Sequence, residues 1–306
     1  MAPISSGSFF HYTKSAKSLL GILHNGFRFS YCFEEFDEFV AHSDDDSYIS
    51  LPFPIGAKKQ SVGISFPMVC FCDIPLMRAG VHRERYGDYC IGLNKNIVLE
   101  HYSPIINPVF YVSSFVVADI YSKLTTLKHS LSKRAKKDKE FIKEIESATK
   151  SDLPELVKKG KEYFDSLYAH NELGNTLEQL LRLTKPSVGE NGICYYDERE
   201  WRVFWNYKQK EKKGDVYYRL SFEEYNNNKI NWNKSVESDY LTFERCMPSE
   251  VISHIIVPED NDVPAIISAI KGMTCFLGKE ISLFDFDIRD LLISKVTSFE
   301  RIENDF

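Results

Sequence analysis

Pro67-Met68-Val69-Cys70-Phe71-Cys72-Asp73-Ile74-Pro75 is an apolar run that stops on a carboxylate and a proline. Taken with its lead-in from Ile64, it predicts a buried strand over 64–71 that ends in an Asp-Ile-Pro turn. Cys70 and Cys72 lie two apart and so share one face of that strand. Two further stretches have the same character. Phe9-Phe10-His11-Tyr12 predicts a short strand with a histidine inside it, and Glu200-Trp201-Arg202-Val203-Phe204 a strand that opens on glutamate. Burying a polar group costs free energy unless it has a partner, so these side chains are expected to have a partner or a task. If the three strands lie side by side, His11 and Glu200 face one cleft.

Working outward, Thr13 is placed as an N-cap for a helix over 15–24, which Asn25-Gly26 ends. Residues 27–32 alternate and predict another strand. Glu34 to Asp46 is acidic and lacks the spacing and glycine of a calcium loop, so it reads as a solvated face. Residues 51–63, with Pro52, Pro54, Gly56 and Gly63, read as a long loop. Strands are predicted at 89–93 and 108–112, with a polar loop or short helix at 82–88. Over 114–185 lysine and glutamate become common, and Phe141, Ile145, Leu153, Leu156, Tyr163 and Leu167 suggest amphipathic helices. After Gly192 strand signals return at 193–196, 201–207, 216–220, 251–257 and 281–288, with a turn at 208–214 and a helix at 263–271. Residues 293–299 either extend the sheet or cap it. The strands mostly follow one another too closely for parallel crossovers. The reading is an α+β fold: a mixed, largely antiparallel core of residues 1–113 and 186–306, with a helical insertion at 114–185.

With 306 residues, 43% of them hydrophobic, the chain can bury a sizeable core. Its net charge of −6 argues against broad electrostatic binding to nucleic acid, though Lys133-Arg134-Ala135-Lys136-Lys137-Asp138-Lys139 is a local basic run. Seven cysteines at irregular spacings fit neither a disulfide framework nor a zinc site, and no metal cluster stands out. No signal peptide and no long apolar segment is visible, so a cytoplasmic protein with no membrane role is expected. The sequence holds no P-loop, no G-x-G-x-x-G and no G-x-S-x-G. A Cys–His nucleophile built from Cys70 or Cys72 with His11 is conceivable, but no activating environment is evident for either thiol.

Two resemblances follow from these motifs. Phe10-His11-Tyr12-Thr13, Leu20-Gly21-Ile22-Leu23-His24-Asn25-Gly26-Phe27, residues 67–76, Tyr86-Gly87-Asp88-Tyr89-Cys90-Ile91-Gly92-Leu93, Asn107-Pro108-Val109-Phe110-Tyr111 and Glu198-Arg199-Glu200-Trp201-Arg202 together resemble the AbiGi family. That family belongs to bacterial abortive-infection phage-defence systems and is usually described as the antitoxin half of a toxin–antitoxin pair. The likeness runs over most of the chain outside the insertion. More distantly, the order of a His strand, a helix with its Gly-Phe turn, the 69–73 strand and a strand opened by glutamate is similar to the split-sheet ADP-ribosyltransferase fold.

The second resemblance implies an enzyme that transfers ADP-ribose from NAD to a macromolecular acceptor, whether RNA, DNA or protein. Glu200 would stabilise the oxocarbenium-like charge at the ribose, and His11 would hydrogen-bond the nucleotide. An aromatic ring would stack on nicotinamide, with Tyr86 and Tyr89 the best placed. The implied NAD contacts are His11, Tyr12, Thr13, Phe71, Tyr86 and Tyr89. One departure stands out: Cys70 occupies the place where that fold carries a stacking tyrosine. The main expectation is a toxin-type ADP-ribosyltransferase with a cognate partner. The alternatives are a non-catalytic antitoxin that binds its toxin and, from the basic run alone, a nucleic-acid-binding regulator. Taken residue by residue, Glu198 and Glu200 could equally pair with Arg199, Arg202 or the 208–213 lysines, and His254 could be buried structure.

Overall fold

A computed structural model describes residues 5–42, 48–50, 58–147, 153–189, 194–205, 216–281 and 286–305. The chain divides into two compact units. One consists of residues 1–34, 63–109 and 192–306; the other of 35–62 and 110–191. The acidic and proline-rich stretch at 35–62, expected in the 1–113 core, groups instead with the helical hairpin.

The first unit is built on a mixed sheet. Its strands run in the order Val296–Ser298, Ile252–Val257, Tyr89–Asn94, Ser8–Thr13, Lys58–Cys72 (from Gly63 on), Glu200–Phe204 and Ile106–Pro108. Tyr217–Leu220 pairs with the long strand at Ser65 and Gly63. Of these neighbours only Ile252–Val257 and Val296–Ser298 are parallel. The architecture is therefore α+β with antiparallel pairing dominant. The sheet has a natural seam. The His11 strand pairs with Tyr89–Asn94 along its whole length, but meets the long strand only where Phe10 faces Cys72.

Alternation sorts the side chains onto two faces. Phe9, Phe71, Ile91, Leu93 and Val203 turn to the larger core, packed under the helices Ala16–Asn25 and Val263–Gly272. Phe10, Tyr12, Cys72, Cys90 and Ile256 turn to a smaller one that Phe299 closes. Local chemistry sets the connections. Ser15, not Thr13, caps the first helix, because its hydroxyl accepts from the Ser18 N–H. Gly26 ends that helix at φ 98°, and a Cβ there would lie 2.6 Å from the Leu241 carbonyl oxygen.

Three predicted segments differ. Of the expected strand at 281–288, residues 286–288 open a helix, Phe286–Ile293, and 282–285 lie outside the described residues. The Phe-Asp-Phe-Asp alternation is strand-like, but Ile288, Leu292 and Ile293 also fit a helical face, and Leu292 is fully buried. Of the strand expected at 193–196, residues 195 and 196 fall in a 3-10 turn, Tyr195–Glu198, and 193 lies outside the described residues. The helix Phe222–Lys234 was not foreseen; Ser221 and Glu224 cap its start reciprocally. The expected turn at 208–214 and the 51–57 part of the expected loop lie outside the described residues, while 58–63 belong to the long strand.

The second unit holds two short strand pairs and a helical hairpin. Val40–His42 pairs antiparallel with Tyr48–Ser50, and Phe110–Val112 parallel with Thr184–Pro186. The hairpin is made of Ser114–Ser147 and Leu153–Leu183. Val117, Ala118, Tyr121 and Leu124 recur at helical spacing and bury the base of the first helix, where the Tyr121 ring lies 5.2 Å from that of Phe36.

Candidate functional site

The long strand brings the polar residues together in the first unit. Glu200 faces Cys72 and Arg202 faces Cys70 in antiparallel register. Glu200 therefore shares a face with Cys72 and Phe10, and His11, one residue on, belongs to the opposite face with Phe71. His11 and Glu200 do not converge on one cleft.

Arg202 is the largest fully buried side chain, at 0% exposure. Its Nε donates to Glu200 Oε1 at 2.7 Å, and one terminal nitrogen donates to Glu200 Oε2 at 3.3 Å. The same terminal nitrogen lies 2.8 Å from Glu34 Oε1. Burial opposes the charge on the guanidinium, and the two carboxylates more than offset it, holding Arg202 well above its ordinary range. Glu34, expected on a solvated acidic face, is instead buried in this triad.

Glu198 forms the adjoining polar group. Arg199 takes a left-handed backbone, φ 44°, so Glu198 and Glu200 do not lie along one extended strand. Glu198 Oε1 accepts from Arg85 at 3.1 Å and from the Tyr86 hydroxyl at 3.2 Å. Asp73, expected as a turn former, accepts from the Ser6 N–H at 2.8 Å and from Lys95 Nζ at 2.5 Å. The four buried carboxylates at this end of the sheet, Glu34, Asp73, Glu198 and Glu200, each have a cationic partner.

His11 packs its ring against Phe27 and Phe71, at 5.2 and 5.8 Å, and its Nδ1 lies 2.8 Å from the Cys70 carbonyl oxygen. The imidazole sits at the seam where the two strands part. Burial lowers its pKa despite that hydrogen bond. His254, on the edge of the smaller core beside Phe10, is lowered first by burial and then by Lys295. Both histidines take up protons more readily in the unfolded chain. Stability is therefore fully present above the ordinary histidine pKa of about 6.5 and falls as pH drops through it. Denaturant unfolding at pH 7.5 and 5.5 should show that fall, and His11→Asn should flatten it. A His11→Asn protein with the wild-type slope would remove His11 from this account.

The other implied nucleotide contacts scatter. Tyr12 lies on the smaller-core face against Phe299, Phe71 on the larger-core face, and Thr13 faces Tyr89 at a strand end. Tyr86 is spent on Glu198. A Cys–His nucleophile finds no support in the geometry. The hydrogen bond between the Cys70 and Cys32 thiols, then burial, raises Cys70, and burial raises Cys72 as well, so both are thiols rather than thiolates. Among the described residues no cluster of His, Cys, Asp and Glu is arranged to hold a metal ion. No described helix is long and apolar enough to cross a membrane.

Sequence reasoning paired Glu200 with Arg202 only as one alternative, and it missed Glu34. The available signal was the charge inside an alternating strand: an acid at that position calls for a buried cation, and Arg202 stands on the matching face of its own strand.

A family model matches residues 55–258, two-thirds of the chain. Its description is "abortive phage resistance protein AbiGi, antitoxin". The chain belongs to the AbiGi family. Comparison with curated proteins and with solved structures gives no match. The expectation of a toxin-type enzyme that transfers ADP-ribose is thereby corrected: the family is described as an antitoxin.

Proposed function

We propose that this chain is a non-catalytic antitoxin of an abortive-infection system, which binds a toxin protein and restrains it. The supporting observation is the triad. A carboxylate that stabilises a developing cation must face its substrate, whereas Glu200 puts both oxygens on the buried Arg202. A residue held this way serves the core. The sheet's single-register seam at Phe10 and Cys72 is in keeping with a split-sheet scaffold related to the ADP-ribosyltransferase fold.

The test is co-expression with the protein encoded beside this chain's gene. Expressed alone, that protein should arrest growth, and this chain should restore growth and co-purify with it in a defined ratio. Glu200→Gln and His11→Asn variants that remain folded should restore growth as the wild type does. The reading fails if the wild-type chain neither rescues nor binds, or if Glu200→Gln abolishes rescue while its melting temperature is unchanged.

A further inference from the structure

This acidic chain has a local excess of positive charge on the helical hairpin. Residues 128–168, which span the far half of the helical hairpin, carry eleven Lys and Arg against eight Asp and Glu. The whole chain has 38 against 44. The excess of cations on the hairpin is therefore set against a strongly acidic remainder. Base and far half also differ in packing. Among the described side chains, the last buried position of the first helix is Leu124, and the first of the second is Leu181. Between them no described side chain is buried. The first helix continues 23 residues past Leu124, about 35 Å of helix.

The second helix presents apolar groups together with that charge. Val157 and Tyr168 are each 68% exposed and stand eleven residues apart, three helical turns, so they share one stripe. Lys161, also exposed, falls on the same stripe between them. Exposed Lys158 and Lys143 lie on the two helices close to their connection. Val157 with Lys158 and Lys161 beside it, and Tyr168 further along the same stripe, have the composition of a protein-binding hot spot with a charged rim. A phosphate backbone would make no use of Val157 and Tyr168. Asp138, Glu140, Glu144 and Glu146 also interrupt the basic run, where a track for nucleic acid would be continuous.

We propose that the far half of this hairpin is the toxin-docking element, and that it fits an acidic surface of the toxin with an apolar centre. This rests on the antitoxin reading. The rim lysines steer the encounter with an Asp- and Glu-rich face, and Val157 and Tyr168 lodge in its apolar centre.

Three full-length proteins test it against the purified product of the neighbouring gene. The first carries Lys143→Glu, Lys158→Glu and Lys161→Glu. The second carries Val157→Ser and Tyr168→Ser. The third is a control with Lys14→Glu, Lys17→Glu and Lys271→Glu, exposed lysines of the other unit with the same change in total charge. Helicity and melting temperature are recorded for all. The first two should bind about tenfold or more weakly and lose rescue, and the control should bind close to wild type. Wild-type affinity should fall with added salt, and the first variant should lose that dependence. The proposal is overturned if the hairpin variants bind and rescue as the wild type does, which leaves the antitoxin reading intact. It is also overturned if they keep the toxin but lose retention of a 20-base-pair DNA duplex that the wild type holds, which makes the hairpin a nucleic-acid element. A wild type that does not bind the toxin removes both readings.

Discussion

Arg202→Met should cost about 3–5 kcal/mol of folding stability, the largest loss expected from a single change in this chain. The substitution keeps roughly the same length and apolar character but leaves Glu34 and Glu200 facing each other without the cation between them. Two buried carboxylates with no counter-charge lose much of their compensation and repel each other. The loss belongs to breaking the triad rather than to an intrinsic gain from having it. Replacing all three members, as Glu34→Leu with Arg202→Met and Glu200→Leu, should recover most of the stability, because desolvating three charges costs about as much as their attraction returns. Chemical unfolding of the three proteins, wild type, Arg202→Met and the triple variant, gives the answer. A single Arg202→Met protein within about 1 kcal/mol of wild type would mean that water reaches the triad and screens it.

Gly87→Ala should be the next most damaging change, at about 3 kcal/mol or more. Gly87 sits at φ 112° and ψ 169°, in a region that is essentially glycine's own and costs other residues about 1–3 kcal/mol. A Cβ would also lie 2.4 Å from the Thr13 carbonyl oxygen and 2.7 Å from the Lys14 Cα, both backbone atoms with nowhere to go. Relieving the clash would push the His11 strand away from the short helix Gly80–Tyr86, and with it Arg85 and Tyr86 from Glu198. Gly80, at the other end of the same helix, is the internal control: no atom lies within 4 Å of its Cβ position. Gly80→Ala should be neutral or stabilising by a few tenths of a kcal/mol. Equal melting temperatures for the two alanine variants would refute the backbone account.

Much of the fold was legible where apolar periodicity was strong. The strands around Phe71, Ile91, Val203 and Ile255 and the helices around Leu19 and Ile266 fall where alternation or helical spacing places them. Segments with two readings went astray. Residues 284–288 alternate like a strand in the sequence, whereas 286–288 open the helix Phe286–Ile293 that buries Leu292. The helix Phe222–Lys234 hides behind Asn226-Asn227-Asn228, three poor helix formers, although its Ser221–Glu224 capping box was visible. What stabilises that helix is tertiary: Trp232 stacks on Tyr217 at 4.1 Å and the Tyr225 hydroxyl reaches the Tyr31 carbonyl oxygen.

The site illustrates a different limit. The sequence places His11, Cys70 and Glu200 on three strands, and those strands are neighbours. The face each side chain takes depends on register, and register is a property of pairs of strands. One shared row, Phe10 with Cys72 and Glu200, is enough to put His11 on the other side. Glu34 could not be assigned from its surroundings in sequence, which are acidic, because its partner lies 168 positions away and is the one arginine on that face of the Glu200 strand.

The seam and the divided chain also bear on how the molecule comes into being. The long strand through Cys72 is flanked by Glu200–Phe204, and Tyr89–Asn94 by Ile252–Val257. A ribosome adding about 5–20 residues per second needs roughly 10–40 s to travel from residue 72 to residue 257. The long strand keeps an open edge until residue 204 is made and Tyr89–Asn94 until residue 257, the kind of edge that invites wrong pairing. Glu34, already synthesised, waits for the arginine that neutralises it. A message cut short anywhere in that stretch releases a product without a closed core.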